Sequence, residues 1–243
     1  MLSRASKKAP PFLPYRRILP EGFVCPGPEY LREDMLQAEP VAQSDQILRA
    51  HFADQPHTLI DSGGFVFYDP NDLVRGRVRP DVYIVFGVDT VSVRQRDGYV
   101  IHEAGKPPDF ALEVASGSTR RVDTGPKRSL YAQIGIGEYW RFDPTGGDFY
   151  GYALAGDLLV DGSYLPVELS LEQGGMSWGY SPVLDLCLCA SNGRLIFYDR
   201  KSGQYLNNMA EERAARLAAD AGRLAAEAEV ARLEEELRRL RGA

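Results

Sequence analysis

Apolar and polar positions alternate in short bursts over most of this chain, a rhythm that predicts many strands and few long helices. Ile47, Leu48 and Phe52 follow the N-cap types Ser44 and Asp45 at helical spacing, so 41–53 reads as an amphipathic helix. Ahead of it, 21–40 reads as irregular, with a short helical patch over 30–37. HTLIDSGGFVFYDP and VRGRVRPDVYIVFG are β-branched and aromatic runs cut by Gly, Pro, Asn and Asp, which predicts strands joined by tight turns. Val82–Phe86 is a continuous apolar strand, and 89–106 reads as a loop or loose hairpin turning at Arg96–Gly98. Phe110–Ala115 is a central strand and 116–124 a polar loop. Pro126 suits the first turn of a helix that runs to about Ile134 and stops at Gly135 and Gly137. A second buried strand follows at 138–142. Beyond Pro144 the pattern is β, with turns at Gly146-Gly147, Asp161-Gly162 and Asn192-Gly193; Asn-Gly between apolar runs is a strong hairpin signal.

Composition changes at both ends. Residues 1–20 carry Arg4, Lys7, Lys8, Arg16 and Arg17 without an acid, broken by four prolines, and read as a basic arm. A solvated tail and a phosphate contact are its two readings. From 208 onward the chain is rich in Ala, Leu, Glu and Arg and has no proline. Val230, Leu233, Leu237 and Leu240 follow the spacing of a coiled-coil seam, out of register with Leu217 and Leu224. The division expected is therefore an arm and lead-in over 1–40, a folded domain over 41–207, and a protruding helix over 208–243 that pairs with a second copy. A formal charge of −6 and a pI near 5.2 argue against a sequence-independent nucleic-acid binder while leaving room for a local basic groove. Three cysteines make no disulfide framework, and the Cys187/Cys189 pair reads as buried thiols more readily than as metal ligands. No membrane span and no secretory leader is read, so a cytoplasmic protein is expected.

Glu113 is the oddity. Ala111-Leu112-Glu113-Val114-Ala115 leaves an acid inside a strand that is apolar on both faces, and a buried carboxylate costs several kcal/mol unless paired or bound to a metal. Asp81 heads a neighbouring strand and Lys127 sits early in the following helix. Two carboxylates on adjacent strands, with a backbone carbonyl, suit Mg²⁺, which keeps several waters. Such a site activates water and neutralises charge on a phosphate, while a lysine stabilises the transition state. Each residue also has a plain reading: Asp81 as a turn residue, Lys127 as a solvated lysine, Glu113 as the ion-pair partner of Arg120 or Arg141.

RPDVYIV and PPDFALEVASGSTRRVDTGPKRSLYAQIGIGEYWRFDP resemble the Uma-type family of restriction endonucleases, within the PD-(D/E)XK nuclease superfamily. NGRLIFYDRKSGQYL and the helical tail resemble longer members, so the likeness spans most of 41–243 and is sharpest over 107–144. It implies a restriction-endonuclease-like α/β fold: a mixed sheet core flanked by helices, with a C-terminal helical tail. It further implies Mg²⁺-dependent hydrolysis of DNA by activated water, with Mn²⁺ as a substitute. Asp81 and Glu113 would hold the metal with the Val114 carbonyl, and Lys127 would complete the catalytic set. Ala115 stands where the superfamily's usual lysine falls; Lys127 fits a position moved onto the helix. Asp123 and Tyr131 fit supporting positions, Arg120, Arg121 and Arg128 fit phosphate contacts, and Asp45 or Gln46 fits the polar residue often given by the first helix. The rival expectation is a nuclease fold turned binding or scaffolding module that self-associates through its tail.

Overall fold

The computed structural model describes residues 28–206 except 97 and 173, with side chains from 36 onward, and scattered helical positions between 217 and 239. The basic arm, Cys25 and, of the tail seam, Leu237 and Leu240 lie outside the described residues. The tail residues that are described, Leu217, Leu224, Val230 and Leu233 among them, are exposed.

The chain opens with α1 (Pro28–His51), one helix of 24 residues where the sequence suggested a patch and a separate helix. Pro40 lies inside it. A proline lacks the N–H of a helix interior and reads as a break, yet α1 runs through it and so crosses the expected boundary at 40/41. Then come β1 (Thr58–Ser62), β2 (Phe65–Phe67), β3 (Arg77–Val78) and β4 (Val82–Phe86). The expected loop or loose hairpin over 89–106 instead holds α2 (Thr90–Val93), β5 (Gly98–Val100) and α3 (Ile101–Ala104). β5 pairs in parallel with the distant β2, and the Asp89 side chain caps α2. Neither the long-range pairing nor one-turn helices leave a periodic trace in the sequence.

Next are β6 (Phe110–Val114), α4 (Arg120–Thr124), α5 (Pro126–Ile134) and β7 (Glu138–Phe142). The second half of the expected polar loop is thus helical, and α5 ends as read, with Gly135 in the left-handed region at φ 87°. β8 (Leu154–Val160), β9 (Ser163–Pro166), β10 (Ser170–Leu171), β11 (Ser177–Ser181), β12 (Leu186–Ser191), β13 (Arg194–Asp199) and β14 (Gln204–Leu206) complete the described fold. Asp161-Gly162 and Asn192-Gly193 turn the β8–β9 and β12–β13 hairpins with positive φ at both residues.

The strands form a six-stranded mixed sheet, β1-β4-β6-β7-β8-β9, a five-stranded antiparallel sheet, β10-β11-β12-β13-β14, and a small sheet, β3-β2-β5. The fold is therefore α/β with a mixed core sheet flanked by helices, as expected. Only β6 and β7 are parallel in the large sheet, and α4 and α5 form their crossover.

Alternation sorts β6 between two cores. Phe110, Leu112 and Val114 join Ile47, Leu48 and Phe52 of α1 and Leu186, Leu188 and Phe197 of the second sheet. Ala111 faces the opposite way, into a cluster with Tyr131, Ile136 and Tyr139. Trp140 of β7 is fully buried between glycines: a Cβ on Gly156 would lie 2.9 Å from its ring, and one on Gly179 would lie 2.9 Å from it on the other sheet. Cys187 and Cys189 are buried free thiols, Cys189 pushed up to about 12 by burial. No described helix is long and apolar enough to cross a membrane.

Candidate active site

β4 and β6 pair antiparallel with Val82 opposite Leu112, so one more step of that register sets Asp81 against Glu113. The sequence placed these acids 32 residues apart; the sheet makes them neighbours. Asp81 Oδ2 accepts the Val114 N–H at 2.8 Å, a bond that fixes the carboxylate at the end of β6.

Glu113 lies on the β6 face covered by α5 and is 1% exposed. Tyr131 Oη donates to its Oε1 at 2.7 Å, and Lys127 Nζ lies 2.7 Å from its Oε2. Lys127 also reaches Asp123 Oδ1 at 3.2 Å. Asp123, Lys127 and Tyr131 are each four residues apart, the spacing that puts side chains on one helical face, and α4 and α5 carry them into a single buried row. Tyr150 Oη donates to Asp123 Oδ2 at 2.8 Å and Tyr139 Oη to the Asp123 carbonyl at 2.9 Å. Tyr150 is itself held by a tight turn, in which the Asp143 carboxylate accepts the N–H groups of Thr145, Phe149 and Tyr150. Ala115 is fully buried, so a lysine there would begin in the core. The cation arrives from α5 instead.

The first-helix residue is neither Asp45 nor Gln46. Asp45 forms an ion pair with Arg49 and Gln46 is exposed. Gln37, some two turns earlier, reaches in: its Nε2 donates to both Asp81 oxygens, at 3.2 and 3.1 Å, and to the Val114 carbonyl at 3.2 Å. The sequence reading missed Gln37 because it placed this residue in a short helical patch over 30–37, apart from the helix read over 41–53.

Three acids and one lysine leave an excess of negative charge. Burial raises Glu113 well above the ordinary carboxylate range against the opposing pull of Lys127, and burial likewise raises Asp81. Lys127 is held above its ordinary value: burial opposes its charge, but Glu113 and Asp123 outweigh it.

No three His, Cys, Asp or Glu side chains form a ready-made metal cage among the described residues. The donor set nevertheless fits a hard cation that retains water. Both Asp81 oxygens and the Val114 carbonyl converge on one point, filled by an amide nitrogen, beside a second acid in a cluster short of positive charge.

Of the three arginines expected to meet phosphates, Arg120 and Arg121 are exposed on α4. Arg128 is committed to Asp157, with Nε and Nη2 at 3.0 and 2.7 Å. Glu113 pairs with neither Arg120 nor Arg141; Arg141 also pairs with Asp157.

The family model described as "Uma2: Putative restriction endonuclease" matches residues 29–184, well over half the chain. The chain belongs to the Uma2 family. The Uma2 match begins at the start of α1, earlier than the resemblance over 41–243 suggested, and stops before β12. No curated protein matches the chain. A solved structure described as a putative nuclease belonging to DUF820, from Anabaena variabilis, is similar at 9% identity and a TM-score of 0.39, covering 57% of this chain and 72% of that one.

Proposed function

We propose that this Uma2 protein hydrolyses DNA phosphodiester bonds with Mg²⁺ or Mn²⁺ at the Asp81–Glu113 centre. The observation that supports it most is the convergence of Asp81 and the Val114 carbonyl on one polar position next to the buried Glu113–Lys127–Tyr131 row. The family's description as a restriction endonuclease supplies the substrate class.

Asp81, Glu113 and the Val114 carbonyl would hold the divalent ion, with Gln37 turning its amide oxygen inward or withdrawing. When bound, the ion supplies an acidified water and offsets charge on the phosphate. Lys127, the ammonium paired with Glu113 and Asp123, would stabilise the charge gathering on the attacked phosphate. Tyr131 holds Glu113 in one rotamer, and Asp123, braced by Tyr150, aims the ammonium. Their role is positioning. The arrangement needs no covalent nucleophile.

The test is nicking of supercoiled plasmid by the full chain with Mg²⁺. The wild type should cut, and Asp81→Asn and Glu113→Gln should each lose roughly a hundredfold or more of the rate. Cleavage undiminished in either purified, folded variant overturns the assignment.

A further inference from the structure

Next to the acid row, on the outer side of α4, lies a cavity of about 550 Å³ that the mechanism above does not use. Arg120, Arg121, Arg128 and Arg141 line it, together with the rings of Tyr150 and Tyr152, and no acid is among its lining residues. Asp157 sits behind the wall as shared partner of Arg128 and Arg141, one carboxylate against two guanidinium groups. Arg120 and Arg121 add two further positive charges. In a chain of net charge −6 this concentration is local and one-sided.

Arg141 is the telling member. It is 5% exposed; its Nη2 reaches Asp157, while its Nε and Nη1 have no hydrogen-bond partner. Buried guanidinium donors are normally satisfied, because leaving them unpaired forfeits their hydration without return. The guanidinium lies 4.8 Å from the Tyr139 ring centre and 5.9 Å from that of Tyr152, whose hydroxyl also interacts with it, contacts that steady the charge. Planar donors in excess, beside aromatic faces, match a phosphoryl group carrying a base: guanidinium groups bind phosphate oxygens in pairs, and aromatic rings stack on any nucleobase.

The geometry points to a nucleotide-binding subsite here, one that takes a phosphate with its base stacked on the tyrosine wall. Its source is either the DNA strand being cut or a free mononucleotide. Tyr150 belongs to both places, lining the cavity with its ring and bracing Asp123 with its hydroxyl, so an occupant of the subsite would abut the acid row. The inference rests on the nuclease reading only for where the nucleotide comes from.

Binding is measured by calorimetry on the full chain in chelator, where cleavage plays no part. The probes are inorganic phosphate, a deoxynucleoside monophosphate, and a short single-stranded oligonucleotide with and without a 5′-phosphate. The nucleotide should bind at least tenfold more tightly than phosphate, and Arg120→Ala/Arg121→Ala should weaken it tenfold or more. Tyr152→Leu should narrow the gap between nucleotide and phosphate. Preference for the oligonucleotide identifies the strand as the source; preference for the mononucleotide identifies the free ligand. No nucleotide binding at millimolar concentration, equal affinity for phosphate and nucleotide, or affinity untouched by the double arginine variant in protein with wild-type circular dichroism would each overturn the subsite. Loss of nicking with binding intact would count against the catalytic reading alone.

Discussion

Lys127→Met is the most informative single change, because it separates the lysine's electrostatic work from its bulk. Its ammonium lies 2.7 Å from Glu113 and 3.2 Å from Asp123, with 14% of the side chain exposed and both acids buried. Removing one member of a buried pair costs about 3–5 kcal/mol, since the other charge stays behind without its partner. Two effects pull the figure down. Tyr131 and Tyr150 still donate to the two acids, and Glu113, already raised by burial, escapes part of the penalty by taking up a proton. An expected loss of about 2–4 kcal/mol follows, which for a chain of this size lowers the melting temperature by roughly 5–15 °C. The assay is thermal unfolding by circular dichroism in chelator at neutral pH. The loss should shrink at acidic pH, where Glu113 is protonated anyway. Adding Glu113→Gln should recover at least half of it, because the orphaned charge is then gone. A Lys127→Met melting temperature within about a degree of wild type would refute the claim that this lysine balances the buried acids.

Two further tests concern the scaffold. Burial raises Glu138 above the ordinary carboxylate range despite donors from Ser181, Trp140 and Val183, so the folded protein holds its proton more tightly than the unfolded chain does. Its contribution to stability is then full below the ordinary carboxylate range near about 4 and lost as pH rises through the raised value; Glu138→Gln should flatten the fall of melting temperature over that window, and an unchanged slope would refute the linkage. Gly156→Ala places a methyl 2.9 Å from a fully buried indole and should cost about 1–3 kcal/mol in urea unfolding, whereas no shift in midpoint would mean that Trp140 is free to move.

Much of the centre was legible because the relevant clues are local. A carboxylate in a two-sided apolar strand, an acid heading the next strand and a proline-started helix with a lysine are all visible without coordinates, and the family likeness tied them together. The same criterion also fits Glu138, equally buried in β7, and only its partners show it to be a strut between the sheets. Whether a buried acid is chemical or structural depends on what crosses over to meet it, and that information is long-range. Gln37 was lost for a similar reason: its segment read locally as irregular, with a short helical patch, yet it belongs to the 24-residue α1. The small sheet, with β5 beside β2, rests on parallel pairing that no alternation announces.

Homology and folding do not end at the same residue here. The family match stops at 184, but Leu186, Leu188, Ala190, Leu195 and Phe197 close the core behind Val82, Ile84, Leu112 and Val114. The strands that present Asp81 and Glu113 therefore lean on a segment outside the shared signature. A chain cut at the homology boundary would keep every residue of the acid centre and lose the wall that aligns it. A relative that retains the two acids without β12 and β13 must shield the same faces of β4 and β6 with other elements, or with another molecule.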